Sequence, residues 1–305
     1  MEELRNLVAG VDFSGSKAVP NETWLAIAEL TDSGVEIQKL THVGSHKLAQ
    51  VLTDNERLLV AALDFPFSLP NEFTSWVAQK ADKQDFQSWQ EIAMHLAFLS
   101  FETFYALVEE FHKEPKRYCD KQTMPMAISP LHRGNPSMVQ MTYQGIHLLA
   151  RLNPEKFRIL PFQDATAETC QVIEVYPSAT LCALGLPFKG YKSVEKKDRE
   201  AMFAQRKAMI RQLESLKARG GERFRDLPQL LINAHDESTT ITSHDAFDAV
   251  IACYTAGIFA MNAKSFVDPL ENDTLDVLTE GWIFQPVFEE VLAPPEVKAK
   301  GVKVS

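Results

Sequence analysis

Five acidic residues stand where apolar runs end or begin, a placement that suits metal-assisted chemistry. The run Leu7-Val8-Ala9-Gly10-Val11 closes on Asp12, and Phe13-Ser14-Gly15-Ser16 follows with turn chemistry. Leu58-Leu59-Val60-Ala61-Ala62-Leu63 closes on Asp64 in the same way, before Phe65-Pro66. A third run, Gln171-Val172-Ile173-Glu174-Val175, carries Glu174 near its end, and Asp245 and Asp248 lie three apart at the start of an apolar helix. Carboxylates gathered at strand tips repel one another unless protonated or neutralised by cations. Hard divalent ions, Mg²⁺ or Mn²⁺, favour such oxygen ligands. A pair of ions about 3.5–4 Å apart can activate water and stabilise the leaving oxygen of a phosphodiester. Asp12, Asp64, Asp245 and Asp248 are therefore the candidate metal ligands, with Glu174 a further candidate catalytic acid. Each also has a plainer reading. Asp12 and Asp64 could cap turns, and Asp245 and Asp248 could be the N-cap and N3 acids of their helix. The facing of Glu174 stays open, because side chains alternate along a strand.

The elements that must position these acids can be read in order. Two short apolar runs, too short for helices, predict buried strands that end on Asp12 and Asp64. Between them, Thr23 to Leu30 predicts a second strand, Asp32-Ser33-Gly34 a hairpin turn, and the alternating Val35 to Leu40 a half-exposed third strand. A short helix over about His46 to Leu52 leads back to the Asp64 strand. From Phe86 to Phe111 the apolar spacing is helical and the stripe is wide; His95 within it reads as a packed residue. Asn135-Pro136 resembles an N-cap followed by proline at the first helical position. That helix runs on through Met138, Ile146 and Leu149. Arg158 to Phe162 predicts a short strand or connector and Ser178 to Leu184 a short helix. Asp198 to Arg219 predicts an amphipathic helix stopped by Gly220-Gly221, and Gly281 to Phe284 a closing strand.

Cationic residues supply candidates for a phosphate partner. Arg117, Lys121, His132 and Arg133 lie in the segment between the helical stretches. The helix over Asp198 to Arg219 carries Arg199, Arg206, Lys207, Arg211 and Lys217 opposite its apolar side, either a solvated face or a phosphate-binding rim. The whole chain is acidic, with 41 Asp and Glu against 31 Lys and Arg and a net charge of -10. That excludes a nucleic-acid coat protein, which needs a broad basic face, but not a nuclease with a local basic rim. With 45% hydrophobic residues there is ample material for a core. The four cysteines form no CxxC pair and read as buried thiols of a cytoplasmic protein; neither a signal peptide nor a membrane span is expected.

GVDFSGS, LDFPFSLP, IEVYPSATLCALGLP followed by GYK, and HDAFDAVIACYTA resemble the successive motifs of domain of unknown function 429. That family is expected to comprise nucleases of the RNase H-like superfamily. SPLHRGNPSM…MTYQGIHLL and EGWIF are similar to its intervening and terminal motifs. The resemblance implies one α/β domain over residues 1–290, with an RNase H-like mixed β-sheet flanked by helices. A helical insertion would span about Pro70 to Asn153, followed by a C-terminal tail over 291–305. It places Asp12, Asp64, Asp245 and Asp248 at metal-binding positions, as the HDAFDA helix also does by its likeness to Holliday-junction resolvases. The implied activity is a divalent-metal-dependent nuclease or phosphodiesterase using metal-activated water on nucleic acid or nucleotide. Asp12-Phe13-Ser14-Gly15-Ser16 also resembles the first phosphate loop of actin-like ATPases and sugar kinases, which makes Ser14 and Ser16 candidate substrate contacts. A phosphotransferase is thus one alternative, and a catalytically silent scaffold of the same fold another.

Overall fold

The structure is a computed structural model, and it describes residues 5–14, 23–134, 138–192, 198–216, 224–271 and 276–288. Its centre is a mixed seven-stranded sheet in the order β5-β6-β4-β1-β2-β3-β7. Strands β1 (Leu7–Asp12), β2 (Trp24–Leu30) and β3 (Gly34–His42) form an antiparallel meander. β4 (Leu58–Asp64) runs parallel to β1, and β6 (Cys170–Glu174) and β5 (Phe157–Ile159) continue outward in parallel. Three antiparallel strands followed by parallel ones make an α/β arrangement consistent with an RNase H-like fold. β1 and β4 are continuously apolar because helices cover both of their faces. β3 alternates, with Val35 and Ile37 buried and Glu36 and Gln38 exposed.

On one face of the sheet lie α7 (Pro177–Ala183), α8 (Arg199–Glu214) and α10 (His244–Met261); α9 (Ala234–Thr242) precedes α10. Val8, Ala26 and Ala62 point toward this face. α10 is buried from Ala246 to Ile258, so its sequence is apolar all round. It lies so close to β1 that a Cβ on Gly10 would come within 1.9 Å of the Cys253 backbone nitrogen. Only glycine permits that approach.

The short α5 (Tyr118–Gln122) packs Cys119 into the cluster of the first face, whereas the opposite face carries α1 (Ser45–Thr53), α2 (Asn71–Lys80), α3 (Trp89–Ala97), α4 (Phe101–Phe111) and α6 (Met138–Leu149). Their apolar side chains, among them Phe73, Leu96, Phe104 and Ile146, pack with Ala9, Val11 and Leu63. The long helical stretch expected over Phe86 to Phe111 is two helices meeting at 118°. Ser100 breaks it by N-capping α4, its hydroxyl accepting the Thr103 N–H. Near the C-terminus the expected strand over Gly281 to Phe284 reduces to a bridge between Ile283 and Glu174. Elements without a sequence expectation include the three-residue edge strand β7 (Gln229–Leu231), α9 and the short helix Val277–Glu280.

The four cysteines are free. Among the described residues no single helix is long and apolar enough to cross a membrane. The Asn135-Pro136 helix start, the Gly220-Gly221 stop and the tail over 291–305 lie outside the described residues.

Candidate metal centre

Parallel pairing of β1 with β4 sets Asp12 directly beside Asp64 in register. Both acids sit at the C-terminal strand tips, where open α/β sheets meet their ligands. The third acid comes from α10. Ser243 N-caps this helix, its hydroxyl accepting the Ala246 N–H at 3.2 Å. Ser243 therefore holds the N-cap position expected of Asp245, and Asp245 and Asp248 both lie inside the helix. Because α10 packs flush on Gly10, Asp248 is carried over the end of β1. Asp12, Asp64 and Asp248 can each offer a carboxylate oxygen within 4.8 Å of the others.

Asp12 and Asp64 line a cleft of about 710 Å³, with Asp248 buried behind them. Asp12, Ser14, Asp64, Glu174, His244 and Asp245 are among its lining residues. Ile128, Met138 and Met141 from the helical insertion contribute an apolar wall. Desolvation holds the Asp12 carboxyl well above the usual range, reinforced by repulsion from Asp248, Asp64 and Asp245. Asp64 is pushed up to about 8, first by desolvation and then by Asp248 and Glu174, against the pull of Lys192.

Asp248 is almost fully buried, and its two oxygens differ. The Tyr191 hydroxyl donates to Oδ1 at 3.0 Å. Oδ2 forms an ion pair with Lys192 and has no hydrogen-bond partner among the described residues. Lys192 is thus a built-in counterion for the acids; desolvation opposes its charge, but Asp248, Tyr191, Asp64 and Asp12 hold it protonated. The donor set, three clustered carboxylates, fits a hard divalent cation, which would share Asp248 Oδ2 with the Lys192 ammonium.

The other expected site residues are placed differently. Glu174 is 2% exposed and both of its oxygens are taken. Arg117 donates to Oε2 at 2.9 Å and to Oε1 at 2.5 Å, and the Phe67 N–H also reaches Oε2 at 2.9 Å. Glu174 lines the cleft, but with both oxygens bound it serves to hold Arg117 and the Phe67 backbone. Arg117 itself, 1% exposed, spends every donor on Asp120, Glu174 and the Glu280 carbonyl. It has none left for the phosphate contact expected of it. This knot ties β6 to the insertion and to the C-terminal segment. Glu114 accepts from Arg133 Nε at 3.1 Å and lies 2.7 Å from His132 Nδ1. Both side chains are therefore engaged in shaping their loop and are not among the cleft's described lining residues. Lys121 is exposed and also lies off the cleft lining. Ser14 lines the cleft, its N–H bound to Thr23 Oγ1 at 3.1 Å. Ser16 lies outside the described residues.

Sequence reasoning left three site residues without a role: Tyr191 and Lys192 against Asp248, and Gln140, whose buried Nε2 lacks a partner among the described residues beside the cleft. The signal for the first two was the Gly190-Tyr191-Lys192 motif. Gln140 carried none, since nothing marks one amide on an amphipathic helix as facing a cleft.

Fold and site together define an α/β protein with a three-aspartate cluster, two from the C-terminal tips of adjacent parallel strands and one from a helix. The family model described as "Protein of unknown function (DUF429)" matches residues 10–272, and the chain belongs to that family. No curated protein and no solved structure matches it.

Proposed function

We propose that the protein is a divalent-metal-dependent phosphodiesterase acting on nucleic acid or nucleotide. The observation that carries this reading is the Asp12–Asp64–Asp248 cluster, within 4.8 Å, two of whose members line a ligand-sized cleft. Asp12, Asp64 and Asp248 would hold Mg²⁺ or Mn²⁺, with Asp245 close enough to act on Asp12 electrostatically. Bound ions supply positive charge at the scissile phosphate and lower the pKa of the attacking water. The chain's own residues do the rest. Tyr191 fixes the Asp248 carboxylate by its hydrogen bond. Lys192 neutralises part of the cluster, and Phe13, Phe65 and Met141 narrow the cleft with apolar surface. The acidic chain and the helical wall over the cleft favour a single strand or a nucleotide over a duplex. The phosphotransferase alternative lacks a second nucleotide-binding half, since the described residues form one sheet.

The test is a metal titration against single-stranded and duplex nucleic acids and free nucleotides, comparing wild type with Asp12→Asn. Hydrolysis dependent on Mg²⁺ or Mn²⁺ should fall at least about 100-fold in the variant, the scale expected when a group that stabilises transition-state charge is lost. ATP-dependent transfer to a small hydroxylated acceptor, without diester cleavage, would overturn the reading in favour of a phosphotransferase.

A further inference from the structure

A second pocket of about 530 Å³ adjoins the acidic cleft and shares Lys192 and His244 with it. In a chain of net charge -10 its lining is inverted. Lys192, Arg199, Arg206 and His244 contribute basic groups, and no described lining residue is acidic. Three of these contacts come from one face of α8, because Arg199, Phe203 and Arg206 follow one another at helical spacing of four and three. The other charged residues of that helix behave differently: Arg211 is exposed and paired with Glu214 and Glu237.

Arg206 makes this a built site. It is 2% exposed, and burying a guanidinium is costly unless something answers its charge. Its Nε donates to the Ile241 carbonyl at 2.7 Å and its Nη1 to the Tyr191 carbonyl. The Phe203 ring lies 5.2 Å from the guanidinium carbon. Among the described residues no carboxylate forms an ion pair with it; Asp248 and Asp245 attract it only at longer range, and it contributes to the pocket wall. Two carbonyls hold Nε and Nη1, and the residue lines the pocket together with Arg199 and Lys192. Such a fork matches the oxygens of a phosphate group.

We propose that this pocket is a phosphate subsite, receiving a second phosphate of the substrate whose scissile phosphate lies over Asp12 and Asp64. The inference rests on the phosphodiesterase reading for what the substrate is, but not for the binding itself. Lys192 connects the two, since its ammonium pairs with Asp248 and lines both cavities. The subsite selects substrates carrying at least two phosphates over isolated diesters. The second phosphate could be an internal diester of a longer strand or a terminal monoester; both present the same oxygens.

Inorganic phosphate, titrated calorimetrically into metal-free protein in EDTA, tests the binding. Wild type should bind one phosphate per chain. Arg199→Glu, on an exposed position that spares the fold, and Arg206→Met should each weaken it about tenfold or more, the loss expected for a hydrogen bond to a charged group. Asp12→Asn should bind as wild type does. A folded wild type that binds no phosphate, or an Arg199→Glu variant that binds it equally well, overturns the subsite. Phosphate binding by a protein that hydrolyses nothing supports the pocket and removes the nuclease reading instead.

Where hydrolysis is present, three substrates separate the sources: a dinucleotide, the same dinucleotide with a terminal phosphate, and a trinucleotide. Arg199→Glu should raise KM for whichever of the last two uses the pocket and leave KM for the plain dinucleotide unchanged. An equal effect on all three would overturn the assignment to a second phosphate.

Discussion

Asp64 is the residue whose environment makes the clearest demand. An aspartate in an unfolded chain ionises near pH 4, whereas burial and neighbouring acids move this one up to about 8. Between those values the folded state holds more protons than the unfolded state, so metal-free stability falls as pH rises through the window. The contribution is complete below about pH 4 and gone above about pH 8. Urea denaturation in EDTA at about pH 5 and about pH 8.5 should show this loss in wild type and a smaller one in Asp64→Asn. Equal pH dependence in the two would show that Asp64 is an ordinary surface acid. The neighbouring residues explain why the acids tolerate one another. Lys192 balances part of their charge, and Tyr191 orients Asp248. None of this is visible in the strand-ending aspartates alone; it depends on a loop some 180 residues beyond Asp12 folding back onto the cluster.

At the scale of elements, the site depends on how closely α10 lies on β1. Gly10→Ala would set a Cβ 1.9 Å from one backbone atom of α10 and 2.4 Å from another, neither of which can swing away. The substitution should destabilise the fold by about 3 kcal/mol or more, measured by urea denaturation. Gly185→Ala is the control: it has open space around it but a positive φ of 69°, and should cost about 1–2 kcal/mol. A similar, mild effect of both would mean that α10 adjusts and does not fix the position of Asp248. The ionic knot is the second element-scale device. Arg117→Met would leave Asp120 and Glu174 buried without their partner and should cost about 3–5 kcal/mol. A cost below 1 kcal/mol, an order expected only of a surface pair, would contradict the burial described here.

For the whole molecule, the acidic cluster couples folding to cations. A divalent ion that binds the folded site and not the unfolded chain stabilises by mass action, about 2.7 kcal/mol at a hundredfold excess over Kd. Wild type should therefore melt higher with Mg²⁺ or Mn²⁺. Asp12→Asn, with one charge fewer, should melt at or above metal-free wild type and show a smaller rise with metal. An undiminished rise in the variant would remove Asp12 from the ligand set. The sheet itself ties distant parts together for this purpose. Its centre brings residues 12 and 64 side by side, while α10 returns from residue 248 to complete the group.

The amino-acid sequence by itself determined the central strands, because continuous apolar runs that stop at an acid and a turn have few other solutions. It also marked Asp12, Asp64 and Asp248, whose placement at element ends and in the HDAFDA motif is local information. Tertiary structure decided the rest. Glu174 looks like its fellow acids in sequence, yet Arg117, 57 residues away, takes both of its oxygens. Arg117, His132 and Arg133 look like a phosphate rim, but each finds an acid or a carbonyl within the protein. Arg206 looks like one more charge on a solvated helix face, and the fold turns it inward beside Lys192. The physical reason is common to all of them. Strand formation follows from neighbouring residues, whereas the partner of a charged side chain is whichever opposite charge the packed chain brings within a few ångströms, and spacing along the sequence does not specify that.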